Sequence, residues 1–138
     1  MSNNYQKTEK QKMLDEELYN AGGEELSNER EYTKELCYQY NKTRPSETEK
    51  QKEIIQKLFK STGKNFKINA PFFCDYGYNI SIGENFNSNY NLVILDVCEV
   101  KIGNNVIIGP NVGIYTAGHP VSVELRNDGL EYGKKIKS

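Results

Sequence analysis

The sequence predicts a mainly β chain, a parallel β-helix preceded by an α-helical N-terminal region. Three observations predict it. From residue 102 the chain reads in steps of six as IGNNVI, IGPNVG and IYTAGH. Only 36% of the 138 residues are hydrophobic, with 10 Tyr, 5 Phe and no Trp, which suits a narrow core better than a broad one. Helical spacing of apolar residues is confined to the first sixty or so positions. The expected organisation is therefore a helical region over 1–62 and β-helix coils over 63–138, with a loop at 118–135 thrown out from the coils.

In the first part, TEKQKMLDEELY (8–19) places Met13, Leu14 and Leu18 on one helical side. Two glycines in NAGGEEL (20–26) interrupt it. A second helix is predicted over 27–41, with Ser27 as N-cap and Tyr32, Leu36 and Tyr40 on one face. Arg44-Pro45 ends it. SETE (46–49) then has the form of a capping box, Ser46 capping and Glu49 reaching back. The helix it opens buries Ile54, Ile55, Leu58 and Phe59 and stops at Gly63.

After Gly63, Asn, Gly and β-branched residues take over. Ile102, Ile108 and Ile114 hold the first position of each hexad, and Val106, Val112 and Gly118 the fifth. ISIGENF (80–86) and VKIGNNV (100–106) show the same order less regularly. Six residues suit a short strand and a tight bend, and stacked repeats point the first position inward as aliphatic rungs. Gly103, Gly109 and the residues after them are the expected bends. A sandwich with Gly/Asn turns is the competing arrangement; three in-register hexads favour the solenoid.

Charge and composition exclude several classes. With 18 basic and 19 acidic side chains and no basic block, nothing favours a nucleic-acid partner. The polar start MSNNYQKTEKQK has no signal-peptide core, and runs such as LVIL (92–95) are too short to span a membrane. Cys37, Cys74 and Cys98 are an odd, widely spaced set that reads as reduced thiols in a cytoplasmic protein, with Cys74 and Cys98 expected to be inert.

His119 is the only histidine. A lone histidine is most often structural or merely exposed. Here the ladder breaks at it, Gly118 permits close backbone approach, and Pro120 fixes the chain just after. An imidazole held this way suits removal of a proton from a weakly acidic group, so His119 is a candidate general base. One histidine cannot build a multi-histidine zinc site, and no metal is expected.

NFKINAPFFCDYGYNISIGENFNSNYNLVILDVCEVKIGNNVIIGPNVGIYTAGHPV closely resembles the maltose and galactoside O-acetyltransferases, hexapeptide-repeat acyltransferases of the left-handed β-helix class. EKQKMLDEELYNAG and YNKTRPSETEKQKEIIQKLF are similar to that family's N-terminal region, so the resemblance covers nearly the whole chain. It implies a left-handed coil, acetyl-CoA as co-substrate, a sugar hydroxyl as acceptor, and a homotrimer with sites between neighbouring subunits. It implies direct attack assisted by His119, with Asn89 holding the acceptor and the transition state. Asp75 and Asn87 match acceptor-lining positions, with turn chemistry as their competing role. Asp96 lies close to a further acceptor position, and Asn20 stands where maltose-type relatives usually carry Asp. Val97 replaces an acidic residue of the galactoside enzymes, and Glu124 is a weak candidate for orienting His119.

The chain stops at YGKKIKS, with Ile136 resembling the first residue of another rung. The resemblance places most CoA contacts beyond residue 138. A fragment, a truncated product, or a chain whose edge a partner covers are the expectations that follow. The competing function is a non-catalytic β-helix module acting in assembly or interaction. Acyl transfer to an amino sugar or amino acid is a third option, which CDYGYNISIG and NYNLVILDVC argue against.

Overall fold

The computed structural model describes residues 6–120, 124, 127 and 129–137. Residues 1–5 of the helical region, and 121–123, 125–126 and 128 of the predicted loop, lie outside the described residues, as does Ser138.

Helix α1 (Glu9–Leu14) is shorter than the predicted 8–19. Thr8 caps it reciprocally: its hydroxyl accepts from the Gln11 N–H, and the Gln11 side chain accepts from the Thr8 N–H. Glu16 turns to a left-handed φ of 62° and stops propagation. Met13 is buried as expected, but Leu18 is 41% exposed and Tyr19–Asn20 form strand β1. Helix α2 (Glu24–Asn41) starts at a Gly23 cap, so Ser27 lies inside the helix instead of capping it. Glu24 and Glu25 suit the positive first turn and carry the helix upstream. Its buried side is Leu26, Thr33, Leu36, Cys37 and Tyr40, while Tyr32 is 55% exposed. Helix α3 (Thr48–Leu58) buries Ile54, Ile55 and Leu58, with Phe59 buried just beyond. Its cap is Glu47 and no Ser46 box forms; the Glu47 carboxylate instead accepts from the Arg44 N–H at 2.8 Å. The helix ends well before Gly63 because the Lys60 N–H is taken by the carbonyl of Ile80 in the first coil.

The coils follow as β2 (Phe66–Ile68), β3 (Phe72–Cys74), β4 (Ile80–Ile82), β5 (Phe86–Ser88), β6 (Leu92–Leu95), β7 (Val100–Ile102), β8 (Ile107–Ile108), β9 (Gly113–Tyr115) and β12 (Ile136–Lys137). They form three parallel sheets, β2-β5-β8, β3-β6-β9 and β4-β7-β12. Partners Phe66↔Phe86, Phe72↔Leu92 and Ile80↔Val100 are each 20 residues apart. Three hexads make 18, so each coil carries two extra residues. They fall at one corner: Phe66 to Phe72 and Ile80 to Phe86 are six steps, Phe72 to Ile80 eight. On the third passage the same corner swells, since Ile136 pairs with Val100 across 36 residues.

Ile68, Phe72, Ile80, Ile82, Phe86, Leu92, Ile94, Val100 and Ile102 stack inside, with Val106, Ile108, Val112 and Ile114 packed on their end. Burying one such side chain stabilises by about 1.5–3 kcal/mol. The predicted bends form at Gly103 and Gly109 and the residues after them, and asparagine takes the left-handed position: Asn85, Asn91, Asn105 and Asn111 have φ of 57–64°. Asparagine tolerates this region and also bonds its equivalent one coil on. Asn85 donates to Asn105 at 3.0 Å and Asn91 to Asn111 at 2.9 Å. Gly83 has a different purpose, because a Cβ there would lie 2.7 Å from the Gly103 carbonyl carbon of the next coil.

Helices α2 and α3 close the first end of the stack. Leu36, Tyr40, Ile54, Ile55, Leu58 and Phe59 share one core with the rungs. The exposed strand edge is satisfied by side chains. The Asn41 amide donates to the Phe72 carbonyl (3.0 Å) and accepts from its N–H (2.8 Å), and the Tyr40 hydroxyl donates to the Ile68 carbonyl.

Candidate active site

The enlarged corner holds most of the chemistry. Asp96, at its second passage, is fully buried. Its Oδ1 accepts from the N–H groups of Asp75 (3.1 Å) and Tyr76 (2.9 Å), and its Oδ2 from those of Gly77 (2.8 Å) and Asn79 (3.3 Å). The Asn79 side chain donates to the Asp96 carbonyl at 2.8 Å. Burial pushes the Asp96 carboxyl up to about 7, against the pull of these donors. Asp96 thus shapes the turn of the coil before it; with no exposed surface it does not face an acceptor as predicted.

Asp75 opens that turn and is half-buried. Burial raises its carboxyl above the usual range, the Arg30 guanidinium lowers it in part, and Glu131 raises it further. Arg30 is itself fixed by the Tyr76 hydroxyl and the Ala21 carbonyl, each at 2.8 Å.

The third passage carries His119. Thr116, buried, anchors its base: the hydroxyl donates to the Leu95 carbonyl (2.6 Å) and accepts from the Cys98 N–H (3.1 Å). Strand β10 (Ala117–Gly118) then pairs antiparallel with the returning β11 (Leu130–Gly133). Gly118 is needed there, since a Cβ would sit 2.6 Å from the Tyr132 ring. His119 follows with its side chain 69% exposed and Nε2 3.7 Å from Glu131 Oε1. The other Glu131 oxygen accepts from the Tyr19 hydroxyl at 3.4 Å. The ring therefore lies at the surface beside a carboxylate, outside the apolar interior.

Strand β1 completes the corner by pairing with β11, Tyr19 opposite Glu131 and Asn20 opposite Leu130. This brings Asn20 to the strand that bears Glu131, although its carboxamide oxygen accepts from the Gly22 N–H at 2.8 Å. Burial pushes the Tyr19 phenol far up, so it remains a donor. Met13, Tyr19, Leu26, Tyr76, Val97 and Cys98 form a second core beneath.

Asn87 and Asn89 are elsewhere. Asn87 is exposed on β5, in the sheet of Lys67 and Ile107. Asn89 is exposed at the following corner, its N–H bonded to Ile108 and its side chain accepting from the Tyr90 N–H at 2.7 Å. One chain therefore gathers Asn20, Asp75 and His119 and leaves Asn87 and Asn89 on another face. Glu131 escaped the sequence reading; only the antiparallel return of the loop brings it to His119. Glu124, the weak candidate, is exposed. Among the described residues no group of three or more His, Cys, Asp or Glu could hold a metal, and no helix is long and apolar enough to cross a membrane.

Residues 12–63 match the family model described as the maltose acetyltransferase hexapeptide capping motif. A maltose O-acetyltransferase structure from Clostridium difficile 630 is 50% identical, with TM-score 0.92 over 94% of this chain and 69% of that one. A galactoside acetyltransferase in complex with coenzyme A is 38% identical, with TM-score 0.89 over 94% of this chain and 65% of that one. A Saccharomyces cerevisiae protein named "Putative acetyltransferase" is 50% identical over 87% of this chain and 62% of its own length. The chain thus spans about three fifths of that curated relative.

Proposed function

Because the chain belongs to the maltose and galactoside O-acetyltransferase family of left-handed β-helix, hexapeptide-repeat proteins, we propose that it moves an acetyl group from acetyl-CoA to a sugar hydroxyl, with His119 as general base. Acetyl-CoA supplies the activated acyl group. A hydroxyl is a poor nucleophile while it keeps its proton. His119 accepts that proton as the oxygen attacks the thioester carbonyl, and returns it to the departing thiolate when the C–S bond breaks. Glu131, 3.7 Å from Nε2, orients the ring and favours the imidazolium that forms in between.

Asp75 and Asn20 are proposed to accept hydrogen bonds from acceptor hydroxyls. Asp96 positions Asp75 through its backbone instead of touching the sugar. Asn89 both donates and accepts, which suits the attacking hydroxyl and the oxyanion, and Asn87 lies beside it. Both sit on a different face from His119 in one chain, which supports a site shared between neighbouring copies in a homotrimer.

The observation that carries this reading is an exposed imidazole paired with a carboxylate at the one corner where the coil departs from regular spacing. The test is acetyl transfer to a sugar panel by the chain and by His119→Ala. We expect the variant to lose about 10²–10⁴-fold in rate. No turnover, with no CoA-dependent thermal shift, would favour the assembly module instead. Light scattering tests the trimer, and a clean monomer would count against a shared site.

A further inference from the structure

Cys37 and Cys74 take no part in the reaction above, yet the fold brings them together. The Asn41 amide clamps both backbone groups of Phe72. Four residues back along α2, a rise of about 6 Å, stands Cys37. Two residues on along β3, about 6.6 Å, stands Cys74. Helix α2 packs on β3, and the two rises match, so the two cysteines lie at the same level on either side of that contact. Both thiols line one cavity of about 390 Å³, with Lys34, Tyr38, Lys42 and Phe73 around them. Interaction with Cys74 holds the Cys37 thiol below its ordinary range although burial opposes this, while interaction with Cys37 and burial keep the proton on Cys74.

We propose that Cys37 and Cys74 are a redox pair, in which a hydroperoxide oxidises Cys37 and Cys74 then closes a reversible disulfide between α2 and the first coil. The Cys37 thiolate attacks the peroxide: an S–O bond forms, the O–O bond breaks, and the leaving alkoxide or hydroxide takes up a proton. The Cys74 sulfur then attacks the Cys37 sulfenic sulfur. The S–S bond forms, the S–O bond breaks, and hydroxide leaves with the Cys74 proton as water. The thiol pair loses two electrons and the peroxide gains two. Selectivity follows from the third cysteine. Cys37 is buried as well, but it and the half-buried Cys74 line the cavity and Cys98 does not: the Cys98 thiol donates to the Met13 carbonyl at 2.9 Å, and burial pushes it up to about 11.

The test is hydrogen peroxide treatment of the intact chain, then alkylation and peptide mapping by mass spectrometry. The expected result is a Cys37–Cys74 linked peptide that dithiothreitol reverses, formed at least about tenfold faster than oxidation of Cys98. Cys98→Ser keeps the link. Cys74→Ser abolishes it and leaves a Cys37 sulfenic acid that a cyclic diketone traps. Should the Cys74 variant fail to fold, the wild-type map decides alone. Free, alkylatable Cys37 and Cys74 after Cys98 has been oxidised would overturn the proposal, and so would a link that involves Cys98 or joins two chains.

Discussion

Replacing Asp96 with alanine strips four backbone N–H donors of their acceptor at once. The bonds to Gly77 and Tyr76 are short, 2.8 and 2.9 Å, and those to Asp75 and Asn79 longer, 3.1 and 3.3 Å. A buried donor left without a charged acceptor costs about 1–3 kcal/mol. The two short bonds therefore imply about 2–6 kcal/mol and the two longer ones add to this, and water entering the vacated space offsets part of the total, leaving about 3–5 kcal/mol. That is a large share of the roughly 5–15 kcal/mol that holds a typical domain together. At about 3–5 °C per kcal/mol for a chain of this size, the melting temperature should fall by about 10–20 °C. Urea titration followed by far-ultraviolet circular dichroism at pH 8 measures the difference. Asp96→Asn retains one accepting oxygen and should lose less. A loss below about 1 kcal/mol in the alanine variant, with an unchanged urea slope, would refute a structural role for this carboxylate. The pH dependence has a definite sign. Burial raises the folded carboxyl to about 7, against about 3.9 in the unfolded chain. The folded chain binds the proton more tightly, so the stability gained by protonating Asp96 is complete below about pH 4 and is lost as pH rises through 7, and at pH 8 the alanine variant removes the ionised carboxylate with its four bonds. Asp96→Asn should flatten that part of the stability curve.

Substitutions at three other positions probe the coil and the site. Asn105 holds φ of 60°, so Asn105→Ala should cost about 1–2 kcal/mol by urea titration. Asn105→Gly, which keeps the backbone but loses the Asn85 bond, should fall between wild type and alanine. Gly118→Ala forces a Cβ against the Tyr132 ring and should cost about 1–3 kcal/mol. Hydrogen exchange at the Lys134 N–H, bonded to Thr116 at 2.8 Å, should accelerate with it. Glu131→Gln should lower kcat for acetyl transfer by about tenfold to a hundredfold with KM within about twofold. A change in KM alone would remove Glu131 from the alignment of His119.

What could be read in the residues depended on how locally each feature is encoded. The inward rungs were legible because Ile102, Ile108 and Ile114 repeat at a fixed step, and Ile136 was recognisable as their continuation; it pairs with Val100. The buried side of α3 was legible from its apolar spacing. Helix starts were not: Ser27 and Ser46 look like caps, but Gly23 and Glu47 occupy those positions because tertiary packing sets where each helix begins. The bends after Gly103 and Gly109 were legible, but the ladder of amides between coils was not, since it is a contact across 20 residues that a single repeat does not display. Of the candidate site, the exposed His119 at the end of the ladder was legible. Its partner Glu131 was not, because the antiparallel return that joins them is set by the pairing of β10 with β11. Asp96 was misassigned as an acceptor contact, since nothing local distinguishes a carboxylate facing a ligand from one facing four peptide N–H groups.

The stack departs after Thr116 and resumes at Ile136, which pairs with Val100 in the sheet that also holds Ile80. The intervening segment is thus an interchangeable cassette. Apart from Gly118, His119, Glu131 and the pairing of β10 with β11, its length and composition can change, provided that its two ends leave and rejoin the ladder in step. New acceptor preferences could arise there by insertion or exchange without renegotiating the scaffold, whose fidelity is guaranteed one coil at a time.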